Sequence, residues 1–209
     1  MNATAKFWDG IAEKYARTPV RDMESYEHTL RRTASYLKSS DKVLELGCGT
    51  GTTALKLAPN VAEIVASDVS AGMLAVGARK AAEQSATNVS FVEAEAGNPP
   101  EGPFDAVLAF NLLHLVEDLD GTLAKVRNTL KPGGLFVSKT FCAPKNGSLR
   151  YRFMRMVVPV MQVFGKAPFV RFMSEAELDA AIKRAGFEFV ERDSFPVKDA
   201  RRFVVARRI

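Results

Sequence analysis

The sequence contains few of the residues from which metal centres and disulfide frameworks are built. Its 209 residues include two cysteines, Cys48 and Cys142, and two histidines, and the cysteines show no CxxC or Cys/His spacing. Neither a metal site nor a disulfide is indicated, because both need clustered or paired ligands. We therefore expect two reduced thiols and no metal.

Long hydrophobic runs are also missing. No stretch holds the roughly 18 uninterrupted apolar residues of a membrane span, and residues 1–10 lack the basic and apolar regions of a secretory signal. These absences predict a cytoplasmic protein. Hydrophobic residues make up 47% and charged residues 25%, which excludes a disordered chain. The length favours one domain over residues 1–209.

Acidic residues are absent from one long segment. Residues 142–173 contain no Asp or Glu, and residues 142–209 carry 14 basic and 7 acidic side chains within a total net charge of +5. Such an imbalance attracts an anionic substrate, a membrane surface or nucleic acid, and it does not choose among them. The pairs Arg201-Arg202 and Arg207-Arg208 lack any aromatic recognition module or base-flipping motif, so nucleic acid is not favoured.

Short strands alternate with helices through most of the chain. This order indicates βαβ crossovers and a Rossmann-like, doubly wound α/β fold with a mostly parallel seven-stranded sheet. Residues 196–199 join the last two strands, which predicts an antiparallel hairpin at the C-terminus. The predicted helices cover 2–16, 24–38, 52–57, 71–83, 119–130 and 175–185, and the predicted strands cover 43–46, 63–68, 89–94, 104–110, 135–141, 187–195 and 201–207.

Four segments follow from this order. Residues 1–40 form an N-terminal helical cap, 41–141 a ligand-binding core, 142–173 a helical insertion after the fifth strand, and 174–209 the last helix and hairpin. Within the insertion, residues 145–171 mix apolar and basic side chains at a position suited to covering a substrate. This segment is an apolar lid, a contact with anionic lipid, or plain core, since Met and Val at helical spacing usually pack inside.

Three glycines at alternate positions follow the first strand. Gly47, Gly49 and Gly51 lack Cβ atoms, so a ligand can lie against the main chain, and the loop is expected to leave its amide donors open to that ligand. Asp68 ends the next strand, where a carboxylate can accept from ribose hydroxyls. The spacing GxGxG differs from the GxGxxG of dinucleotide sites, which favours a nucleoside without a pyrophosphate.

From these motifs the chain resembles the class I S-adenosylmethionine-dependent methyltransferases, especially the methyltransferase-11-like and ubiquinone-biosynthesis methyltransferase group. The resemblance covers roughly residues 5–141. It rests on five ordered motifs, namely Glu45-Leu46-Gly47-Cys48-Gly49-Thr50-Gly51, Asp68-Val69-Ser70 with Met73-Leu74, Phe104-Asp105, Asn111-Leu112-Leu113-His114 and Leu130-Lys131-Pro132-Gly133-Gly134.

The resemblance implies S-adenosylmethionine as cofactor, with S-adenosylhomocysteine as product. It implies that the loop 47–51, including Cys48, lies under the methionine and ribose, that Glu45 lies near the ammonium group, and that Asp68 binds the ribose hydroxyls. Asp68 as a mere helix N-cap stays an alternative at this stage.

The remaining contacts implied by the resemblance concern the adenine and the methyl group. Val69 and Met73 would pack against adenine, and Asn111 and Leu112 would flank the sulfonium. Tyr15 resembles a tyrosine that closes over the cofactor, although packing on its helix face explains it equally well. The segment Ala94-Glu95-Ala96 stands where the family usually has Gly-Asp-Ala, so Glu95, which is one methylene longer than Asp, and Ala96 would meet the adenine edge. A solvated loop acid is the competing interpretation of Glu95.

The implied reaction is methyl transfer by in-line displacement to a small-molecule acceptor, which is apolar or anionic. His114, just after the fourth strand, is a candidate base, and a packed or solvated histidine is the competing interpretation. Other functions remain open at this point. They are a membrane-associated phospholipid or quinone-precursor methyltransferase, an NAD-dependent oxidoreductase and a non-catalytic S-adenosylmethionine-binding protein.

Overall fold

A computed structural model describes residues 3–144, 147, 149–194 and 201–209. Helices and strands alternate as the sequence predicts, and single 3₁₀ turns occupy Ala58–Asn60 and Leu113–Leu115. The predicted turn at 196–199 lies outside the described residues. The elements in chain order are α1 (Ala3–Arg17), α2 (Met23–Ala34), β1 (Lys42–Leu46), α3 (Thr52–Leu57), β2 (Glu63–Asp68), α4 (Ala71–Glu83), β3 (Val89–Glu93), β4 (Phe104–Phe110), α5 (Leu119–Thr129), β5 (Leu130–Phe141), α6 (Leu149–Val163), α7 (Glu175–Arg184), β6 (Phe187–Ser194) and β7 (Arg201–Arg208).

The seven strands form one sheet in the order β3-β2-β1-β4-β5-β7-β6. The first five run parallel, and β7 lies antiparallel between β5 and β6. This confirms the Rossmann-like fold and the antiparallel C-terminal hairpin. The chain proceeds from β1 outward to β3 and then returns to β4 on the other side of β1. A ligand crevice is expected at that reversal, beyond the carboxyl ends of the strands.

The central strands are buried because helices cover both faces of the sheet. Strands β1, β2 and β4 are almost wholly inaccessible, as expected for the continuous apolar runs of a parallel sheet. One core cluster contains Phe104, Phe136 and Phe187. The other contains Val43 and Ile64, on the opposite face of the sheet. The sheet is therefore a rigid platform for the loops at its carboxyl edge.

Two predicted boundaries were wrong by several residues: α2 ends at Ala34 and not at residue 38, and β5 begins earlier than expected. The sequence predicts that a helix ends at Leu130 and that residues 131–134 separate it from a strand beginning at Leu135. In the structure α5 ends at Thr129, and Leu130 already pairs with Phe104. The register then shifts and resumes with Leu135 beside Ala106, so the Pro-Gly-Gly segment is an irregularity inside the strand.

The N-terminal helix is fixed beside the carboxyl end of β2. The Asp9 carboxylate accepts from the Ser70 hydroxyl at 2.6 Å and from the Gly72 N–H at 2.8 Å, at the start of α4. These bonds stabilise the charged form and lower the pKa of Asp9. Helix α1 is thereby held over one side of the ligand crevice.

The insertion contains a helix, as predicted. Helix α6 runs through Pro159 and ends at Val163, before Gly165. Among the residues that the structure describes, no helix is both long and apolar enough to cross a bilayer.

Close packing between α4 and β3 depends on a glycine. A Cβ added to Gly77 would lie 2.4 Å from Cε1 of Phe91, whereas a Cβ added to Gly10 in α1 would meet nothing within 4 Å. We expect Gly77→Ala to lower the free energy of unfolding by about 1–3 kcal/mol through overpacking. Gly10→Ala should raise it by about 0.5–1 kcal/mol, because alanine favours helix. Urea unfolding of the two variants measures both, and equal stabilisation by both would contradict this account of the interface.

Candidate active site

A cleft of about 700 Å³ opens at the carboxyl ends of β1, β2 and β4, and α1 and α2 close one side of it. The structure brings nearly all the sequence-predicted cofactor residues to its wall. Those lining it are Tyr15, Glu45, Gly47, Cys48, Gly49, Asp68, Val69, Met73, Glu95, Ala96, Asn111 and Leu112. Gly51 is not among them. It lies at the start of α3, where an added Cβ would come within 2.6 Å of the Phe91 ring.

The glycine loop is shaped by close approaches and by left-handed backbone conformations. Gly49 has φ of +54°, which disfavours other residues, although an added Cβ would meet nothing within 4 Å. Gly47 has no such space, since an added Cβ would lie 2.7 Å from a methyl carbon of Leu112. The loop therefore passes directly against the segment that follows β4.

The expectation that this loop leaves its amides open to a ligand was wrong for three of them. The N–H of Cys48 donates to the Ser67 carbonyl at 2.9 Å, and that of Gly51 donates to the Cys48 carbonyl at 3.0 Å. The N–H of Gly49 donates to Oδ2 of Asp68 at 2.8 Å. Two of these donors bond to the end of β2 and the third bonds within the turn, so none of the three is free for a ligand. The glycines still give a ligand close access to the main chain.

Asp68 is held in place by the main chain around it. Its Oδ1 accepts from the Ser70 N–H at 2.9 Å, and its Oδ2 accepts from Gly49. Burial raises the pKa of Asp68, while the backbone hydrogen bonds act against that rise. The side chain that caps α4 is Ser70, which accepts from the Met73 N–H at 3.0 Å. Asp68 is therefore a cleft carboxylate and not the N-cap of this helix.

Glu45 is a buried carboxyl group on the cleft wall. Glu45 is the penultimate residue of β1 and is 2% exposed. Burial raises the pKa of Glu45 to about 8, and the charge of Asp68 adds to this effect. Its Oε2 has no hydrogen-bond partner among the described residues. An orphaned buried carboxylate oxygen beside a cleft is suited to a cationic ligand group such as an ammonium.

A lysine from α4 fixes the far end of the glycine loop. The Lys80 ammonium donates to the hydroxyls of Thr50 and Thr52, each at 3.0 Å, and to the Thr50 carbonyl at 3.3 Å. Burial lowers the pKa of Lys80. Three bonds to one loop from a neighbouring helix hold the main chain of the loop rigid.

The predicted adenine side of the cleft is apolar with one acid at its edge. Met73 is 2% exposed and lines the wall with Val69 and Ala96. Glu95 follows β3 and is exposed at the rim of the cleft. These positions match the places that the resemblance implies for an adenine contact.

Aromatic residues of the N-terminal helices cover the cleft from the opposite side. Trp8 and Tyr15 of α1 line it and stack edge to face, with ring centroids 6.2 Å apart. Tyr26 of α2 also lines it, with its hydroxyl 3.3 Å from that of Thr53. Burial, with the charge of Asp68, raises the pKa of Tyr15. The sequence motifs did not identify Trp8 or Tyr26, because the packing of α1 and α2 on the sheet depends on tertiary contacts between distant parts of the chain.

Lys139 is the main functional candidate that the sequence interpretation missed. It lies in β5, is 5% exposed and lines the cleft. A signal was present, because a lysine inside the run from Leu135 to Phe141 falls in a strand that is covered on both faces. The N–H of Asn111 donates to the carbonyl of Lys139 at 2.7 Å, and Asn111 has φ of +54°. This bond ties the end of β4 to β5.

The structure places His114 beside the cleft and not on its wall. Its neighbours Leu112 and Leu115 line the cleft, whereas His114 is not among the lining residues. Burial, with the charge of Arg201, lowers the pKa of His114 to about 4, so the ring is neutral near pH 7. Its Nδ1 is buried and has no partner among the described residues. A role as a base stays a prediction without support from this geometry.

The insertion lies apart from the cleft. No described residue within 142–173 lines it. Tyr151 packs between Phe141 and Phe172, but several large apolar side chains of α6 are exposed. The plain-core interpretation is therefore wrong for those side chains, and a lid over the acceptor stays a prediction.

The chain is similar to known methyltransferases, in agreement with the cofactor residues that line the cleft. Residues 44–136 match a family model described as a methyltransferase domain. A demethylmenaquinone methyltransferase of Clavibacter sepedonicus is 34% identical over 169 residues, covering 73% of this chain and 68% of the relative. Another from Mycolicibacterium vanbaalenii is 31% identical over 205 residues, covering 89% of this chain and 86% of the relative.

Solved structures share the fold over almost the whole chain. The structure of DhpI in complex with S-adenosylhomocysteine superimposes with a TM-score of 0.75 at 22% identity, covering 99% of this chain and 95% of that one. The family match decides against an NAD-dependent oxidoreductase. From the motifs, the fold and these relatives, the chain belongs to the class I S-adenosylmethionine-dependent methyltransferases.

Proposed function

We propose that this enzyme methylates a quinone precursor in its reduced, hydroquinone form. It transfers a methyl group from S-adenosylmethionine to a small molecule, as its family does. The observation that carries the proposal is the wall beyond β4, where Phe110, Leu112, Leu115 and Val116 form an apolar surface beside the hydrogen-bonding side chain of Lys139. A flat ring with polar oxygens fits such a mixture. The demethylmenaquinone methyltransferases among its relatives support this acceptor class.

The residues present fit the cofactor. The orphaned Glu45 oxygen would receive the ammonium group, and the Asp68 carboxylate would accept from the ribose hydroxyls. Val69 and Met73 would pack against adenine, with Glu95 at the edge of the ring. When bound, S-adenosylmethionine supplies a methyl group that its own positive sulfur activates for displacement.

The contribution of the protein to the reaction is alignment and exclusion of water. Trp8, Tyr15 and Tyr26 cover the cleft from α1 and α2, while Asn111 and Leu112 lie at the end of β4 where the acceptor would meet the methyl group. Holding two reactants in line removes much of the entropic barrier, and a closed site protects them from solvent. A strong base is not required of the protein when the acceptor ionises readily.

The acceptor class is tested by methyl transfer from labelled S-adenosylmethionine. We expect S-adenosylhomocysteine to bind and label to enter demethylmenaquinol but not phosphatidylethanolamine. Asp68→Asn should weaken binding of S-adenosylhomocysteine by roughly 10-fold, because a carboxylate accepts ribose hydroxyls more strongly than an amide does. If S-adenosylhomocysteine binds but no methyl group reaches demethylmenaquinol, the proposed acceptor is contradicted. Label in phosphatidylethanolamine would identify a phospholipid as the acceptor instead.

Glu45 gives a prediction about protons. In the free enzyme its pKa of about 8 leaves it mostly protonated at pH 7. A bound ammonium lowers that pKa, so binding releases close to one proton, and affinity rises with pH between about 6 and 7.5. Calorimetry with S-adenosylhomocysteine in buffers of different ionisation enthalpy counts the protons.

The test variant is Glu45→Gln. Its matched control is Glu188→Gln, on the exposed surface of β6. The first should abolish the proton release and weaken binding by about 10-fold at pH 7.5, and the second should change neither. An unchanged proton release in Glu45→Gln would show that another group titrates.

A second candidate feature is membrane association through α6, and one observation favours it. Exposed apolar residues recur at steps of three and four along this helix, with Phe153 61%, Met156 66% and Val163 84% exposed. Leu149 and Val160 continue the same stripe. Helix α6 also carries exposed Arg152 and Arg155, and residues 142–173 contain no acid. An apolar stripe flanked only by cations fits the surface of an anionic bilayer.

Flotation with vesicles tests this surface. We expect the protein to bind phosphatidylglycerol-containing vesicles and to leave pure phosphatidylcholine vesicles largely unbound. The triple variant F153S/M156S/V160S should lose at least about 10-fold in partitioning, because burial of apolar area drives insertion. V92S/V190S, which alters exposed apolar residues elsewhere, is the control. Equal flotation of both variants, or a dimer that the triple variant dissociates, would contradict lipid as the occupant of α6.

A further inference from the structure

Helix α1 presents two neighbouring faces to the rest of the protein. Asp9 and Ala12 lie against Gly72 at the start of α4, where an added Cβ would come within 3.1 Å of Asp9 Oδ1 and 3.5 Å of the Ala12 Cβ. Trp8 and Tyr15, about two turns apart, line the cleft. Successive residues of an α-helix are rotated by about 100°, so contacts that fix the first face also fix the direction of the second.

Asp9 stands in the middle of α1, where aspartate is a poor helix former. Its partners on α4 give it another role. Oδ1 accepts from the Ser70 hydroxyl at 2.6 Å and from the Gly72 N–H at 2.8 Å. Hydrogen bonds to a carboxylate are roughly twice as strong as those between neutral groups. Two such bonds to one oxygen atom attach α1 firmly to the start of α4.

Ser70 connects Asp9 with the carboxylate at the end of β2. The Ser70 hydroxyl donates to Asp9, and the Ser70 N–H donates to Oδ1 of Asp68 at 2.9 Å. Oδ2 of Asp68 accepts from the Gly49 N–H at 2.8 Å. Burial raises the pKa of Asp68 and the charge of Asp9 adds to the rise, as expected for two carboxylates close together. Consecutive hydrogen bonds therefore link α1 to the glycine loop.

Tyr15 lies on the cleft wall near the same carboxylate. Burial, and then the charge of Asp68, raises the pKa of its phenol, so the hydroxyl end is close to Asp68. The residue is nevertheless 51% exposed, and its ring packs edge to face on Trp8. An aromatic ring with this much open surface can be covered by a ligand, which would stabilise the bound state.

We propose that Asp9 is a positioning residue for the cofactor: by docking α1 on α4 beside Asp68, it holds Tyr15 over the bound ribose and slows release of the cofactor. Asp9 is not among the described residues that line the cleft, so it acts through the helix and not on the ligand. This inference rests on the cofactor placement under the proposed function and identifies what retains the cofactor once it is bound.

The rate at which S-adenosylhomocysteine leaves the enzyme tests the inference. Trp8, the single tryptophan and a residue of the cleft wall, reports dissociation by its fluorescence. We expect Tyr15→Ala and Asp9→Ala each to speed dissociation roughly 10-fold, through lost apolar cover and through two lost charge-assisted bonds. Asp9→Asn keeps an oxygen that accepts from Ser70 and Gly72, so its rate should stay within about 3-fold of the wild-type rate.

A second link between the same two helices supplies the matched control. Glu13 of α1 pairs with Arg79 of α4 at 3.0 Å, and both side chains are exposed. Exposed pairs contribute little, so Glu13→Ala should change dissociation by less than about 2-fold.

The double variant D9A/Y15A separates positioning from stability. If Asp9 acts by placing Tyr15, the double variant should release S-adenosylhomocysteine within about 2-fold of the Asp9→Ala rate, because the ring is already displaced. An aspartate that serves only the stability of the fold would lower the urea midpoint, and the effects of the two substitutions on dissociation would multiply.

Two results would overturn the inference. One is dissociation at the wild-type rate from either single alanine variant, and for Tyr15→Ala this holds whatever the stability of the Asp9 variants. The other is multiplied effects in the double variant, which would show that Asp9 and Tyr15 act independently. Failure of the wild-type enzyme to bind S-adenosylhomocysteine would instead refute the cofactor placement on which the proposed function depends.

Discussion

The hydrogen bond from the Gly49 N–H to the Asp68 carboxylate is the interaction on which the site depends. Parallel pairing of β1 with β2 sets Leu46 beside Ser67, so the loop after one strand meets the acid at the end of the other. A glycine is needed there because φ is +54°. The bond fixes both the loop and the carboxylate before a ligand arrives, and such preorganisation lowers the cost of binding.

A buried carboxyl group connects the stability of this protein with its function. Glu45 lies under the cleft at a cost to the free protein, expressed as a pKa of about 8, and a cationic ligand would remove that cost. On the other side of the β1–β4 reversal, the hydroxyls of Ser25 and Thr29 from α2 accept hydrogen bonds from Lys139.

Local sequence predicted the parts of the structure that depend on neighbouring residues. The strands, the parallel sheet with its antiparallel hairpin and the gathering of Glu45, Gly49 and Asp68 at one edge follow from apolar runs, turn residues and crossover rules. What it missed depends on distant packing. Two amides of the glycine loop bond to the end of β2, and the hydrogen bonds from Lys139 to Ser25 and Thr29 form only when α2 docks on β5. The exposure of α6 could not be read from Met and Val spacing, which is the same for a buried helix and a surface one.

Under the function proposed above, the cleft would bind the reacting groups, and the exposed apolar stripe of α6 would contact the lipid phase that holds the acceptor. The central claim is that Asp68 binds the ribose hydroxyls of the cofactor and that Glu45 binds the amino group of its amino-acid moiety. A crystal structure with S-adenosylhomocysteine tests it most directly. The account predicts ribose hydroxyls within hydrogen-bond distance of Asp68 and the amino group on Glu45, and a ligand bound elsewhere or with these contacts absent would contradict it.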